Sequence, residues 1–424
     1  MTGRRIATLL LVPVFFGVER MAYYGMRSVL VLDMLHRLEM TQSESMAVLA
    51  RLNALVLWIP LLGGALALAL GPRVVLVLGA ALATLGYALL ASISTPSVAT
   101  LLVGVGVGLM KPCAWAVLAD AIATEDAPGG ADVAPLSPRR FPLMAAMFLA
   151  GYAAINLGAA LSPLVMGTAG EHFGTSIAFW LSTGVMLVAL ALSVVLAVLK
   201  GTAQPRALAP EQSVYRAPAA PLAGAASPAR AHARASLLGL LALLGAVTPY
   251  SVALPIVYTS QDFLGLAAQL VAVNTAFVLV ASIAAFLVFL TLALLRRSFP
   301  LTWALGGALA LFGVGLVPLW LADSAAVWGV GIVLTAVAEP VITAVGLAYA
   351  ALATGARTRT LLIAGWMAWT NLFERVEPSE ALWRFELRGL AAVIVGVGVV
   401  LLVFGRRLHA SAFEPPVVKQ PAVS

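Results

Sequence analysis

Phe15-Phe16-Gly17-Val18-Glu19-Arg20-Met21-Ala22-Tyr23-Tyr24-Gly25-Met26-Arg27 lies inside an apolar stretch that runs from Ile6 to Leu35. At ~1.5 Å of rise per residue, such a stretch crosses a ~30 Å hydrocarbon layer as one helix. Glu19, Arg20 and Arg27 then stand where a lipid-spanning helix carries no charge. A charge at the bilayer centre costs at least ~2.5–3.5 kcal/mol on insertion scales, so ionisable groups at that depth face a cavity and serve a function. Glu19 falls roughly 20 Å along the helix from Ile6, beyond the middle of the layer. The stretch therefore predicts a membrane protein with a polar site at mid-depth.

The rest of the chain agrees with that environment. Hydrophobic residues make up 62% of the 424 positions and charged residues only 10%. A soluble globular chain carries about 25% charged residues. The mean hydropathy is +1.02. Apolar segments fall at roughly 6–35, 46–70, 73–93, 97–122, 142–166 and 174–199. A second set follows at roughly 237–260, 266–295, 298–322, 325–353, 359–374 and 383–405. The eleventh is short, and Glu374, Glu377 and Glu380 crowd its end. Between the sets lies a stretch rich in Ala, Pro and Arg, with Pro205, Pro210, Pro218, Pro221 and Pro228, which reads as an extended or disordered linker. The expected organisation is all-α, with about twelve spans in two six-helix bundles. Residues 1–199 form the first bundle, 200–236 the linker, 237–412 the second bundle and 413–424 a tail.

Arg4 and Arg5 ahead of an apolar run superficially resemble a secretion signal. The run is too long, carries three charges and ends at no small-residue cleavage site, so it reads as a retained first helix. Loop charge sets the orientation. With a cytoplasmic N-terminus, that side holds Arg4, Arg5, Arg73, Arg139, Arg140, Lys200, Arg206, Arg216, Arg230, Arg234, Arg296, Arg297, Arg357, Arg359, Arg406, Arg407 and Lys419. The other side holds Arg37, Arg51, Arg375, Arg384 and Arg388. The ratio of 17 to 5 predicts an even number of spans with both termini in the cytoplasm. The formal charge of +7 follows from these loops and is no nucleic-acid signal. The expectation is a monomeric, multi-pass protein of the inner (plasma) membrane. Cys113, the single cysteine, reads as a small packing residue. No metal-spaced His/Cys cluster and no phosphate-binding loop appears, so neither enzyme nor cofactor is expected. His36, His172, His232 and His409 are placed outside the spans.

On the first helix Phe16, Glu19, Arg20, Tyr23, Tyr24 and Arg27 fall within an arc of roughly 140°. Glu19 and Arg20 are neighbours in sequence, so they are expected to splay apart and find partners on other helices. The fourth span carries Lys111 at mid-depth, followed by Pro112, which is expected to kink it. Gly104 and Gly108 fit a small-xxx-small packing pair. Asp120, near the end of that span, reads as a cap or surface charge. Asn156 in the fifth span and Glu339 in the tenth are also at mid-depth, and Pro340 is expected to break the helix beside Glu339. Interhelical polar bonding is the plain alternative for each of these residues.

The cations Arg20, Arg27 and Lys111 thus come from the first half and Glu339 from the second. Around one cavity they suit a zwitterion, with its carboxylate on the basic wall and its amine on Glu339. Tyr23, Tyr24 and Trp366 would line side-chain pockets. Trp320, Trp328 and Trp383, near span ends, read as interface anchors.

Glu19-Arg20-Met21-Ala22-Tyr23-Tyr24-Gly25-Met26-Arg27 resembles the ExxERFxYYG motif of the proton-dependent oligopeptide transporter (POT/PTR) family of the major facilitator superfamily. Gly108-Leu109-Met110-Lys111-Pro112 is similar to its fourth-helix lysine motif. Tyr152-Ala153-Ala154-Ile155-Asn156-Leu157-Gly158 resembles its FYxxINxG signature. Ala338-Glu339 with Gly346-Leu347 is similar to its tenth-helix region, and Gly365-Trp366 to its eleventh helix.

The resemblance implies a proton-driven importer of di- and tripeptides that works by alternating access. It assigns Arg20, Arg27, Lys111 and Asn156 to the peptide carboxylate and backbone, Glu339 to the amine, and Tyr23 and Tyr24 to side chains. Glu19, with Glu339, would couple protons. The departures fall on coupling positions. Phe16 replaces the motif's first acid, the seventh span has no acid before Asp262, and the loop Ala65 to Arg73 has lost most of the superfamily motif. Weak or rewired coupling is expected. A non-transporting sensor or scaffold, or a carrier of another small anion such as nitrate, are the competing readings.

Overall fold

The computed structural model describes residues 2–92, 95–123, 140–199, 228–263, 269–322, 324–353, 355–375 and 383–413. The tail at 414–424 and residues 200–227 of the expected linker lie outside them, as do the side chains of Asp262, Glu374, Glu377, Glu380 and Trp383.

Among the described residues twelve long helices follow one another. They are α1 (Gly3–His36), α2 (Gln42–Leu70), α3 (Pro72–Ser92), α4 (Pro96–Ala123), α5 (Phe141–Phe173) and α6 (Thr175–Val198). Then come α7 (Pro228–Phe263), α8 (Gln269–Leu294), α9 (Leu301–Leu321), α10 (Ala325–Leu352), α11 (Ala356–Asn371) and α12 (Trp383–Phe413). Eleven of them hold a stretch long and apolar enough to cross a membrane. The remaining one is α11, whose 16 residues span about 24 Å. The chain is a multi-span membrane protein. Helix α7 begins at Pro228, inside the stretch expected to be linker, and Ser236 already donates to the Ala412 carbonyl of α12 at 2.5 Å.

Local chemistry sets the joints. Thr41 and Glu44 form a reciprocal capping box at the start of α2, with Thr41 N donating to Glu44 Oε2 at 2.9 Å. Gly71, at φ 82°, ends α2, and Pro72 starts α3 directly after it. Proline and π geometry coincide in α5, where residues Pro163–Gly167 form a π turn.

Helices α1–α6 pack on one another, as do α7–α12, and the two bundles meet chiefly through α5 with α8 and α2 with α11. Small residues decide how close the helices come. A Cβ on Gly158 of α5 would sit 2.2 Å from the Gly17 carbonyl oxygen of α1, so only glycine permits that crossing. Gly104 and Gly108 seat α4 against Leu55 and Ile59 of α2, the packing role expected of them. Helices α4 and α10 run unbroken through Pro112 and Pro340, so the expected break beside Glu339 does not occur. The face where α1, α5 and α11 begin and α4 and α12 end carries Arg4, Arg5, Arg73, Arg140, Arg359, Arg406 and Arg407 and is called the basic face below.

Candidate functional site

Glu19 sits at the middle of α1 and is 2% exposed; Arg20 beside it is 4% exposed. They do not splay apart. Arg20 Nε donates to Glu19 Oε2 at 2.5 Å and Arg20 Nη2 to Glu19 Oε1 at 2.8 Å. In an interior without water each charge takes the nearest opposite charge, and the long Arg side chain can fold back on its neighbour. The expectation that the two find partners on other helices is corrected by this pair. The guanidinium also lies 4.9 Å from the Tyr23 ring centre and 6.0 Å from that of Tyr24, and the two rings stand edge to face. Tyr23 is buried, whereas Tyr24 and Arg27 are half-buried.

One turn before the pair, Phe16 is 1% exposed and lies 4.2 Å from the Trp115 ring. Trp115 in turn stacks on Phe148 at 4.9 Å. Gly151 lies flat against Trp115, where a Cβ would be 2.8 Å from the ring. The position where the resembling motif carries an acid is thus filled by an aromatic stack joining α1, α4 and α5.

Lys111 of α4 and Asn156 of α5 are half-buried. The Asn156 amide donates to the Tyr152 carbonyl one turn earlier at 2.9 Å. Glu339, 8% exposed on α10, accepts from the Tyr152 hydroxyl at 2.5 Å. This bond crosses from the first bundle to the second at mid-depth. Tyr152 was not among the residues expected to bind or couple, although it stands in the quoted fifth-helix stretch. Its spacing of four from Asn156, one helical turn on the same face, was the available signal. Tyr250 of α7 bonds Thr343, one turn beyond Glu339 on α10.

Trp366 is packed rather than open. It is 3% exposed and lies on Gly346 of α10, where a Cβ would meet the ring at 2.2 Å. Three other expectations are corrected by burial. Trp328 is fully buried and is no interface anchor. His409 lies within α12, 1% exposed, with Nδ1 2.8 Å from the Tyr349 hydroxyl. Asp120 is neither a cap nor a free surface charge, because it pairs with Arg359 of α11. Cys113 is buried and unpaired by any disulfide. A pocket of about 260 Å³ lies away from these residues, at the far end of α1, among Ser28, Asp33, His36, Arg37 and Glu171. There Asp33 accepts from both Arg37 and Thr175.

The site therefore has two parts. The first bundle supplies cations on α1 and α4, one of them closed on Glu19. The second supplies one carboxyl on α10, held by a phenol of α5. Residues 73–205, which include Lys111, Tyr152 and Asn156, match the family described as PTR2, the POT family. The match to the POT family covers under a third of the chain, nearly all of it in the first bundle. Dipeptide and tripeptide permease A of Pectobacterium carotovorum subsp. carotovorum (strain PC1) is 30% identical over 178 residues, 41% of this chain and 32% of the relative. The same permease of Proteus mirabilis (strain HI4320) is 31% identical over 180 residues, 41% of this chain and 33% of the relative.

The chain thus aligns with about a third of the length of the curated relatives it matches. The crystal structure of peptide transporter POT in complex with sulfate superposes with TM-score 0.56 at 21% identity, covering 96% of each chain. The human organic anion transporter MFSD10 (TETRAN) superposes with TM-score 0.64 at 14% identity, covering 96% of this chain and all of that one (100%). At these identities the likeness establishes the fold, that of the major facilitator superfamily.

Proposed function

We propose that this protein is a member of the POT family and a secondary carrier that imports di- and tripeptides, or peptide-like zwitterions, by alternating access of its two bundles. The observation that carries the reading is the division of charge at mid-depth. Arg20, Arg27 and Lys111 stand on the first bundle and Glu339 on the second, linked to α5 through Tyr152. A zwitterion of peptide length bridges such a pair of walls, with its carboxylate on Lys111 and Arg27 and its amine on Glu339. The names of the curated relatives support the same substrate class. Asn156 and Tyr24 complete the backbone and side-chain contacts, while Tyr23 and Trp366 act from behind as packed support.

In this reading ligand binding opens the Glu19–Arg20 pair. A peptide carboxylate offers Arg20 a second bidentate partner, and Glu19, released, takes up a proton. Glu339 is the other proton site. Phe16, locked in its stack, takes no part, so coupling rests on fewer groups than the resembling motif implies. The protein lies in the inner membrane with both termini cytoplasmic, works as a monomer, and uses the proton as its sole coupling ion.

Uptake of a labelled dipeptide into proteoliposomes, with and without a pH gradient, tests this. Flux in the wild type that disappears in Lys111→Ala and Glu339→Ala is expected; unchanged flux in both variants would refute the site. One observation favours a second reading. Glu19 and Arg20 closed on each other, beside a sealed Phe16, also suit a degenerate carrier that binds without transporting. Saturable peptide binding with no counterflow would select that sensor. Glu339 argues against a purely anionic cargo such as nitrate.

A further inference from the structure

The pocket at the far end of α1 lies on another side of that helix from the mid-depth site. Leu10, Val14, Ser28, Leu32 and His36 are exposed and fall within an arc of roughly 80°. Glu19, Tyr23 and Arg27 are roughly 140–180° around the helix from the middle of that strip. Ionisable groups in a span face the bundle interior, so the strip opposite them meets lipid. The pocket opens on it through Ser28, Leu32 and His36, at the membrane face opposite the basic face. Ser28 lies about 12 Å below His36 along the helix, so the pocket covers the depth of lipid headgroups and the start of their chains. Phe173 and Trp180, two residues before Thr175 and five after it, are exposed, as aromatic side chains are at a membrane interface.

Its walls carry both signs. Helices α5 and α6 meet at Gly174, φ 89°. The end of α5 brings its negative dipole end and the exposed carboxylate of Glu171, and α6 brings its positive end at Thr175. Arg37 is held by Asp33, which is 1% exposed and accepts from Nε at 2.6 Å and from Nη2 at 2.8 Å. Thr175 donates to the same carboxylate, and Arg37 Nη2 reaches the Leu90 carbonyl at 3.4 Å. Of the five guanidinium N–H groups, the two on Nη1 are left without an acceptor among the described residues. The π turn ends at Gly167, where a Cβ would meet nothing within 4 Å. The volume of about 260 Å³ is below the ~300–1,000 Å³ of pockets that enclose a drug-sized ligand, so the pocket suits a small charged group whose remainder stays outside.

We propose that this pocket seats the headgroup of a phosphatidylethanolamine from the adjoining leaflet. The phosphate lies on Arg37 and His36, the primary ammonium on Glu171, and one acyl chain runs over Leu32. A carboxylate accepts hydrogen bonds from a primary ammonium, whereas the quaternary ammonium of choline has none to give. Asp33 touches no lipid and acts as a positioning residue for the guanidinium.

Native mass spectrometry of the full chain in detergent tests the site, with phosphatidylethanolamine, phosphatidylcholine and phosphatidylglycerol of identical acyl chains. One phosphatidylethanolamine should stay bound at about tenfold lower lipid concentration than either of the others, the size of one charge-assisted hydrogen bond. Glu171→Gln should remove that preference and bring the three lipids level. Gly167→Leu, which fills the pocket from a position with open space around it, should abolish the tight lipid while the elution profile is unchanged. Arg37→Gln should weaken all three lipids alike, because each carries the phosphate. Glycerophosphoethanolamine, the same headgroup without chains, should not displace the lipid at equal concentration.

Phosphatidylglycerol held as tightly as phosphatidylethanolamine would reduce the pocket to an anion site and overturn the proposal. An undiminished preference in Glu171→Gln, or a tight lipid retained in Gly167→Leu, would overturn it as well. Displacement by glycerophosphoethanolamine at equal concentration would make the ligand a soluble headgroup and reject the lipid.

Discussion

Neutralising the Glu19–Arg20 pair gives the sharpest test of the arrangement at mid-depth. Both side chains are almost fully buried and joined by two hydrogen bonds. Removing one member of such a pair costs about 3–5 kcal/mol, because the survivor keeps a buried charge. In Glu19→Gln the stranded Arg20 still lies over Tyr23 and Tyr24, which returns about 0.5–2 kcal/mol. The expected net loss is therefore about 1–4.5 kcal/mol for Glu19→Gln and about 3–5 kcal/mol for Arg20→Gln. An unfolding entropy of ~2.1 cal/mol/K per residue makes each kcal/mol about 1 °C for a chain of this length, so the Tm should fall by about 1–4 °C in the first variant and about 3–5 °C in the second.

The double variant Glu19→Gln/Arg20→Gln buries two neutral amides of similar shape and should lie within about 1 °C of wild type. Thermal unfolding in detergent micelles, followed by tryptophan fluorescence, reads all three. If the double variant loses the sum of the two single losses, the groups are held by other helices and not by each other, and the reasoning fails.

Phe16→Glu should fail to accumulate as folded protein, since it buries a carboxylate against the Trp115 ring; a monodisperse, wild-type-like elution profile would contradict the sealed stack. Gly158→Ala should cost about 1–3 kcal/mol, because its Cβ meets the Gly17 carbonyl and forces α1 and α5 apart; an unchanged Tm would refute the close crossing. Tyr152→Phe removes a hydrogen bond to a carboxylate and should weaken bundle-to-bundle contact by about 1.5–3 kcal/mol. Its measurable sign is faster hydrogen exchange at the ends of α5 and α10, and protection equal to wild type would count against the bond. Dipeptide uptake that is insensitive to a pH gradient would remove Glu19 and Glu339 from the coupling role while leaving the binding site standing.

Much of the architecture was legible in the one-dimensional pattern, because a bilayer makes the rule nearly binary. Apolar runs of span length must become helices, since no other open structure satisfies its backbone in lipid. The spans read from the sequence therefore correspond to the observed helices, short α11 among them. Depth was legible for the same reason. At a fixed rise per residue, Glu19, Lys111, Asn156 and Glu339 fall near the middle wherever the helices stand. The start of α7 at Pro228 was missed because a Pro- and Arg-rich composition resembles a linker, although proline is tolerated in a helix's first turn.

Partners were a different matter. Helical periodicity says which face a side chain is on and how deep it lies, but not which helix stands opposite. Glu19 turned to its own neighbour, Asp120 to a residue 239 positions away and Glu339 to one 187 positions away. The pattern placed His409 outside the spans and Trp328 near a span end, yet packing by other helices buried both. By itself the sequence determined the solvent, the helices and the depth of each charge, since those follow from transfer energies along a single chain. Only the tertiary structure decided which charges cancel within a bundle and which bind one bundle to the other, because that depends on how twelve helices with glycine-tight crossings are turned toward one another.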